Sequence, residues 1–208
     1  MHEDFAQRAV VRTATMPWTP RDGIEEKLLE AARDRRTSLV RLPAGATLPI
    51  ASRGSLDVLI LDGQLASHGA WTYLREPAGL RALSTARGCT LFVKQRPAQR
   101  PTRCALDVRG VVFESGLVPG LALGPVHTDL DGTVTLLRFD RGTHVPPHHH
   151  RDGEELFVLD GELRDEFGTY GVHDWVRQPP ASVHSVDAPN GCLTFSLAHH
   201  LGSAIFRR

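Results

Sequence analysis

Long apolar runs are missing from this chain of 208 residues. No stretch approaches the ~20 residues that a helix needs to cross a bilayer. The N-terminal stretch MHEDFAQRAVVRTATMPW has no apolar centre of the kind a secretory leader carries. A cytoplasmic protein with no membrane partner is the expectation. Cysteine is scarce: Cys89, Cys104 and Cys192 are three in number, an odd count, and none belongs to a Cys-x-x-Cys pair. That gives no support to a disulfide framework. Neither sign of charge prevails, with 24 basic against 24 acidic residues, and no long basic block occurs, so nucleic acid is not a favoured partner.

What the chain does have is glycine (19), proline (14) and histidine (11). Seven of the histidines fall between His127 and His184. It also has internal similarity, the feature to look for first. SLVRLPAG (38–45) resembles TLLRFDRG (135–142), VLILDGQL (58–65) resembles LFVLDGEL (156–163), and RGCTLFVK (87–94) resembles NGCLTFSL (190–197). Gly45, Gly63 and Gly88 recur as Gly142, Gly161 and Gly191. Between the copies, QRPAQRPTR (95–103) is rich in Pro and Arg and lacks periodicity, as a linker would. Each copy has the length of a small compact domain.

The runs inside each copy are strand-like. LFVLDGEL nearly alternates apolar and polar residues before Asp-Gly, and WVRQPP and CLTFSL are short and bounded by Pro or Gly. Many short strands with such turns predict an all-β sandwich, jelly roll or barrel. One segment reads otherwise. DGIEEKLLEAARDRR (22–36) puts Ile24, Leu28, Leu29 and Ala32 on one helical face. Its counterpart, GLALGPVHTDLDG, is not helical in character, and the repeat argues for a strand over residues 24–30.

The second copy reads Gly142-THVPP-His148-His149-His150-RDG-Glu154-ELFVLD-Gly161, and His184 follows in PPASVH. Residues two apart in a strand share a face, so His148 and His150 can chelate together while His149 turns away. Glu154 opens the next strand after an Arg-Asp-Gly turn, with Leu156 and Val158 on its face. His184 has to arrive from a distant strand, which closure of a barrel supplies. Three imidazoles and a carboxylate suit Zn²⁺, Fe²⁺, Mn²⁺, Ni²⁺ or Cu²⁺ rather than Ca²⁺ or Mg²⁺.

The spacing G-x5-H-x-H-x3-E-x6-G matches the first cupin motif at every fixed position. The second, P-x-G-x2-H, is met by Pro179-x-Ala181-x2-His184, with Ala in the Gly place. More narrowly, PWTP (17–20), GTYGVHDWVRQPPASVHS (168–185) and RGCTLFVK (87–94) resemble the ChrR-like cupins, the family of the C-terminal domain of the anti-sigma factor ChrR. The resemblance implies a bicupin of two tandem double-stranded β-helix (jelly-roll) barrels. Residues 1–94 would form a degenerate cupin, 95–104 a linker and 105–208 the metal-binding cupin. It also implies one divalent metal, zinc as commonly found, on His148, His150, Glu154 and His184. Fe(II), Mn and Ni are the alternatives.

Aligning the copies puts Ala51, Ser52 and Arg53 at the His-x-His position, Leu56 at Glu154, and Arg81 or Leu80 at His184. No ligand survives, so the first barrel is expected to be metal-free and structural. The alternative is an anion pocket built on Arg53 and Arg81. His144 and His149 flank the ligands, while His127, His173, His199 and His200 read as surface or turn residues. Trp175 reads as core or pocket wall. Cys89 and Cys192, at equivalent positions, read as buried inert thiols, with a redox sensor as the alternative.

Two functions follow from the resemblance. One is a metal-dependent dioxygenase acting on a diketone or enol-type small molecule, with Glu154 as labile ligand and proton acceptor. The other is a non-catalytic sensory module. The anti-sigma Cys/His cluster is not present before the first cupin, so sigma-factor sequestration by that means is not expected. A homodimer is compatible with cupin sheet pairing, although the internal fusion could satisfy the same need.

Overall fold

The computed structural model describes residues 2–32, 34–49, 54–77, 79, 82–99, 102–199 and 201. Among them every regular element is a strand, apart from two short 3-10 turns at Thr13–Thr15 and Val108–Gly110. The strands are β1 (Ala9–Val11), β2 (Thr19–Arg21), β3 (Ile24–Ala32), β4 (Arg35–Leu42), β5 (Ser55–Leu65), β6 (His68–Gly69), β7 (Thr72–Pro77), β8 (Cys89–Arg96) and β9 (Cys104–Asp107). There follow β10 (Glu114–Ser115), β11 (Leu121–Asp129), β12 (Gly132–Phe139), β13 (Thr143–His150) and β14 (Glu154–Gly161). The last five are β15 (Leu163–Asp165), β16 (Gly168–Tyr170), β17 (Trp175–Gln178), β18 (Ser182–Ala188) and β19 (Cys192–Ala198). The all-β expectation holds, and residues 24–30 are strand. No helix among the described residues is long and apolar enough to cross a membrane.

Two compact units divide the chain: residues 1–3 with 16–110, and 4–15 with 111–208. The division departs from the expected bounds in two places. Residues 4–15 belong with the second unit, where β1 pairs antiparallel with β17. The expected linker is largely strand at its ends, since β8 runs to Arg96 and β9 begins at Cys104 and pairs with β7 of the first unit.

The repeat shows in the sheets. The first unit has the order β2-β3-β4-β8-β5-β7-β9, and the second β10-β11-β12-β19-β14-β17-β1. These are the same path, and the last place is filled in each case by a strand from outside the repeat. Both β5–β8 and β14–β19 shift register at the same point, at Ile60/Asp62 and at Val158/Asp160. β3–β4 and β11–β12 do likewise, at Leu28/Glu30 and Pro125/His127. A second sheet, β13-β18-β15-β16, closes the second barrel. Its interior is apolar at the far end, with Phe139, Val145, Leu156, Val158, Leu163, Val176, Val186 and Cys192 in one cluster. The first barrel packs Ile24, Val40, Leu56, Val58, Ile60, Leu74, Leu91 and Val93 in the same way.

Candidate metal centre

β13 carries two of the expected ligands, and a bulge aims them. Val145 pairs with Val186, but the next pair is His148 with His184, so β13 advances three residues while β18 advances two. Pro146 and Pro147 occupy the step; neither has an N–H to give a ladder, which suits them to a bulge. The extra residue reverses the strand's alternation. Val145, in the core, and His148, three places on, therefore face the same interior. On β18, Val186 and His184 share that face by ordinary alternation.

The result is a cluster of His148, His150 and His184, whose ligand nitrogens all lie within 4.8 Å of one another. His150 Nε2 and His184 Nε2 stand 2.9 Å apart. Two ring nitrogens that close can share one proton or point together at a cation, and roughly 3 Å is the edge of a coordination shell with ~2.1 Å bonds. His184 is 2 % exposed, while the other two are half-buried. Burial, then the neighbouring His184 and His148 rings, push His150 down to about 3, so this ring is neutral without a metal. The residues fit a divalent transition metal: borderline nitrogen donors that converge on one point.

Glu154 lies just past the turn Arg151-Asp152-Gly153. Gly153 has φ 74°, and a Cβ there would meet the Gln178 carbonyl oxygen at 2.9 Å. That turn sets the Glu154 Oε2 atom 3.5 Å from His150 Nε2. Oε1 accepts a hydrogen bond from Ser196 at 2.7 Å. Burial raises the Glu154 carboxyl above its ordinary value despite Ser196 and the nearby histidines. The tight nitrogen cluster itself does not include a Glu154 oxygen.

Behind His184 lies a second set of groups that sequence reading did not find. Gln178 Nε2 is 3.0 Å from His184 Nδ1, and Asp165 Oδ2 is 3.6 Å from the same nitrogen. Asp165 takes hydrogen bonds from the Tyr170 hydroxyl (2.5 Å) and the Phe167 amide (2.8 Å), and pairs with Arg8 of the N-terminal segment at 2.7 Å. Burial would raise the Asp165 carboxyl, but His184, Tyr170, the Phe167 amide and the Arg8 charge outweigh it and hold it at about 2. Only the strand register reveals Gln178 as inward-facing, opposite Glu154.

The flanking histidines sit outside the cluster. His149 is exposed. His144 is exposed and paired with Asp187 at 2.8 Å. His127 pairs with Asp129, His173 stacks on Phe157, and His199 faces Asp152. His200 lies outside the described residues. Trp175 is fully buried and donates to Glu155, on the strand face opposite Glu154. Burial pushes the thiols of Cys89 to about 11 and Cys192 to about 12, as inert side chains.

In the first barrel Leu56 is fully buried at the Glu154 register, opposite Gln95 as Glu154 is opposite Ala198. Ala51, Ser52, Arg53, Leu80 and Arg81 lie outside the described residues. Nearby, Glu26 receives hydrogen bonds from Arg36 Nε (2.8 Å) and Ser38 (2.5 Å). The space left between Arg21, Glu26, Arg36, Ser38 and Gln95 is only about 20 Å³.

Comparison with known proteins agrees with this architecture. The chain matches the ChrR cupin-like domain over residues 6–99 and 113–202. No curated protein matches it in sequence. Among solved structures, a presumed dioxygenase from Nostoc punctiforme superposes with TM-score 0.75 at 18% identity, over 95% of this chain and 84% of its own. A presumed glyoxylate-induced protein from Pseudomonas aeruginosa gives 0.77 at 11%, over 91% and 87%. An oxalate decarboxylase variant from Bacillus subtilis gives 0.70 at 10%, over 93% and 77%. At such identities these likenesses show the two-barrel cupin fold alone. Matched on both repeats by sequence and on nearly its whole length by fold, the chain is a bicupin that belongs to the ChrR cupin-like family.

Proposed function

We propose that the second barrel is a metal-dependent small-molecule site, and that its reaction is dioxygenation of a diketone or enol-type substrate. One observation carries the reading: imidazoles on two paired strands are aimed, by a bulge, at a single point. His148, His150 and His184 would hold the metal, with Glu154 as a fourth, labile ligand. Zinc is the ion expected on purification, and iron(II), manganese or nickel are the alternatives. Bound there, the ion supplies Lewis acidity toward a chelating pair of oxygens and, as iron, electrons for dioxygen. The chain's own residues do the rest. Glu154 Oε2, directed at the histidine cluster, is the carboxylate placed to accept the C–H proton of a 1,3-dicarbonyl substrate. Ser196 fixes Oε1, leaving Oε2 toward the histidines. Leu56, in the corresponding place, leaves the first barrel a structural partner without a metal.

Family membership favours a second reading, a sensory module that binds a ligand without turnover. Metal analysis of protein purified from its native host, with oxygen-uptake assays on 1,3-dicarbonyl and enediol compounds, separates the two. Under the dioxygenase reading, protein reloaded with iron(II) consumes oxygen when substrate is added, whichever ion it carries on purification. Stoichiometric metal of any kind with no turnover across that panel would overturn the enzymatic reading.

A further inference from the structure

We propose that Asp165, held in place by Arg8 from the N-terminal segment, is the positioning carboxylate that readies His184 for metal binding. The inference rests on the metal reading above and adds residues to it. His184 shows its Nε2 to the other imidazoles, 2.9 Å from His150 Nε2. To bind a cation through Nε2, the ring must carry its proton on Nδ1, and that proton needs an acceptor. Two groups face Nδ1. The Gln178 amide presents its nitrogen at 3.0 Å, a donor that also reaches Asp165 Oδ2 at 3.3 Å, so without a cation this amide hydrogen-bonds to Nδ1. The Gln178 oxygen is turned to Arg8 Nε at 3.2 Å. Rotating the amide would set its NH₂ against a guanidinium that can only donate. When a cation takes Nε2 and the ring proton moves to Nδ1, the remaining acceptor is Asp165 Oδ2, 3.6 Å away, and the amide then donates to that oxygen alone.

Asp165 is fixed on its other sides. Its Oδ1 accepts from the Tyr170 hydroxyl at 2.5 Å and from the amides of Phe167 and Gly168 at 2.8 and 3.1 Å. Arg8 pairs with Oδ2 at 2.7 Å and also donates to the Tyr170 hydroxyl. The carboxylate is therefore held against rotation, and only about 10 Å³ is open beside it, room for one water at most. Arg8 reaches this place because the next residues, Ala9–Val11, pair with Arg177–Trp175 as the last strand of the sheet. Arg12 and Thr13 fasten the other end, to Asp174 at 3.6 and 3.0 Å. Docking of the N-terminal segment is thus coupled, through one ion pair, to the readiness of a metal ligand more than 170 positions away in sequence.

The test is zinc titration of the full-length, metal-free chain against a chromophoric chelator. The chains compared are wild type, Asp165→Asn, Arg8→Ala, Arg8→Lys and His184→Ala. Imidazole ¹⁵N shifts are read on the zinc-loaded forms. Asp165→Asn is expected to weaken zinc binding by about 10–100-fold, the usual effect of losing a histidine's carboxylate partner. Its His184 signal should lose the pure Nδ1–H form. Arg8→Ala should weaken binding about 3–10-fold, with recovery in Arg8→Lys; a merely structural loss would show in thermal stability without the tautomer change. If Asp165→Asn does not fold, Arg8→Ala and its rescue carry the same decision. Zinc affinity within twofold of wild type in both variants overturns the proposal while leaving the metal site standing. Equal affinity in wild type and His184→Ala overturns the metal site itself, and this inference with it.

Discussion

Ala181 stands where the second motif has glycine, and its φ is 63°, in the left-handed region that a Cβ makes costly. The substitution therefore leaves backbone strain just before His184. Ala181→Gly is expected to stabilise the protein by about 0.5–1 kcal/mol, part of the relief being offset by the freer unfolded chain. Denaturant midpoints of the two chains check this, and a less stable glycine variant would show that the turn is not strained. Glu154 poses the other question at this scale. Glu154→Gln removes the charge but keeps the Ser196 contact, so metal loading should fall by about tenfold or more. Unchanged metal content would mean that another group is the fourth ligand. The four candidate ligands were legible because their spacing is a motif. Arg8, Asp165, Gln178 and Ser196 were not, since a polar residue in a strand reads as solvent-facing until pairing shows which way it points.

Strands repeat with their irregularities. The bulge at Leu28/Glu30 explains why residues 22–36 read as helical. One inserted residue lets Leu28 and Leu29 follow Ile24 at spacings of four and five, which imitates a helical face. Comparison of the two copies overrode that signal because the equivalent stretch, with its own bulge at Pro125/His127, contains Gly124 and Pro125. Position β1 was beyond reach of sequence reading: three residues, Ala-Val-Val, pair with partners more than 160 positions away. The duplicated glycines were legible and have a steric cause. Gly63 and Gly161 have φ of 79° and 73°, and a Cβ would come within 2.3 and 2.2 Å of the carbonyl oxygens of Gly88 and Gly191. Backbone cannot step aside there. Gly161→Ala should cost roughly 2–4 kcal/mol, read by thermal or denaturant unfolding. Gly142→Ala, with no atom near its Cβ, should cost only the φ penalty of about 1 kcal/mol.

Across the whole molecule, the duplication extends to buried charge. Asp57 pairs across strands with Arg75, and Glu155 with Arg177; Tyr73 donates to Asp57, and Trp175 to Glu155. Each barrel thus repeats a carboxylate, an arginine and an aromatic donor on the face away from its apolar core. The sequence hides this correspondence, because Asp stands for Glu and Tyr for Trp and only the register aligns the copies. The Asp57 set carries an extra cation: Asp57 and Arg75 are 0 % exposed, and Arg96 adds a second contact at 2.9 Å. Burial alone would raise the Asp57 carboxyl, but the Arg96 and Arg75 charges and the Tyr73 hydroxyl hold it below its ordinary 3.8. In the unfolded chain the group returns to that ordinary value. The folded form therefore binds fewer protons over the interval beneath it. Stability from this cluster is complete above about pH 4 and drains away as the pH falls further. Asp57→Asn removes the carboxylate charge that two buried arginines share and should cost about 3–5 kcal/mol at pH 7. Because the variant has no such carboxyl to protonate, its stability should fall less steeply below pH 4, and the gap to wild type should narrow. Urea unfolding of metal-free protein at pH 7, 5, 4 and 3 measures the gap directly. A gap that stays constant down to pH 3 would mean that Asp57 is not held ionised by Arg75 and Arg96.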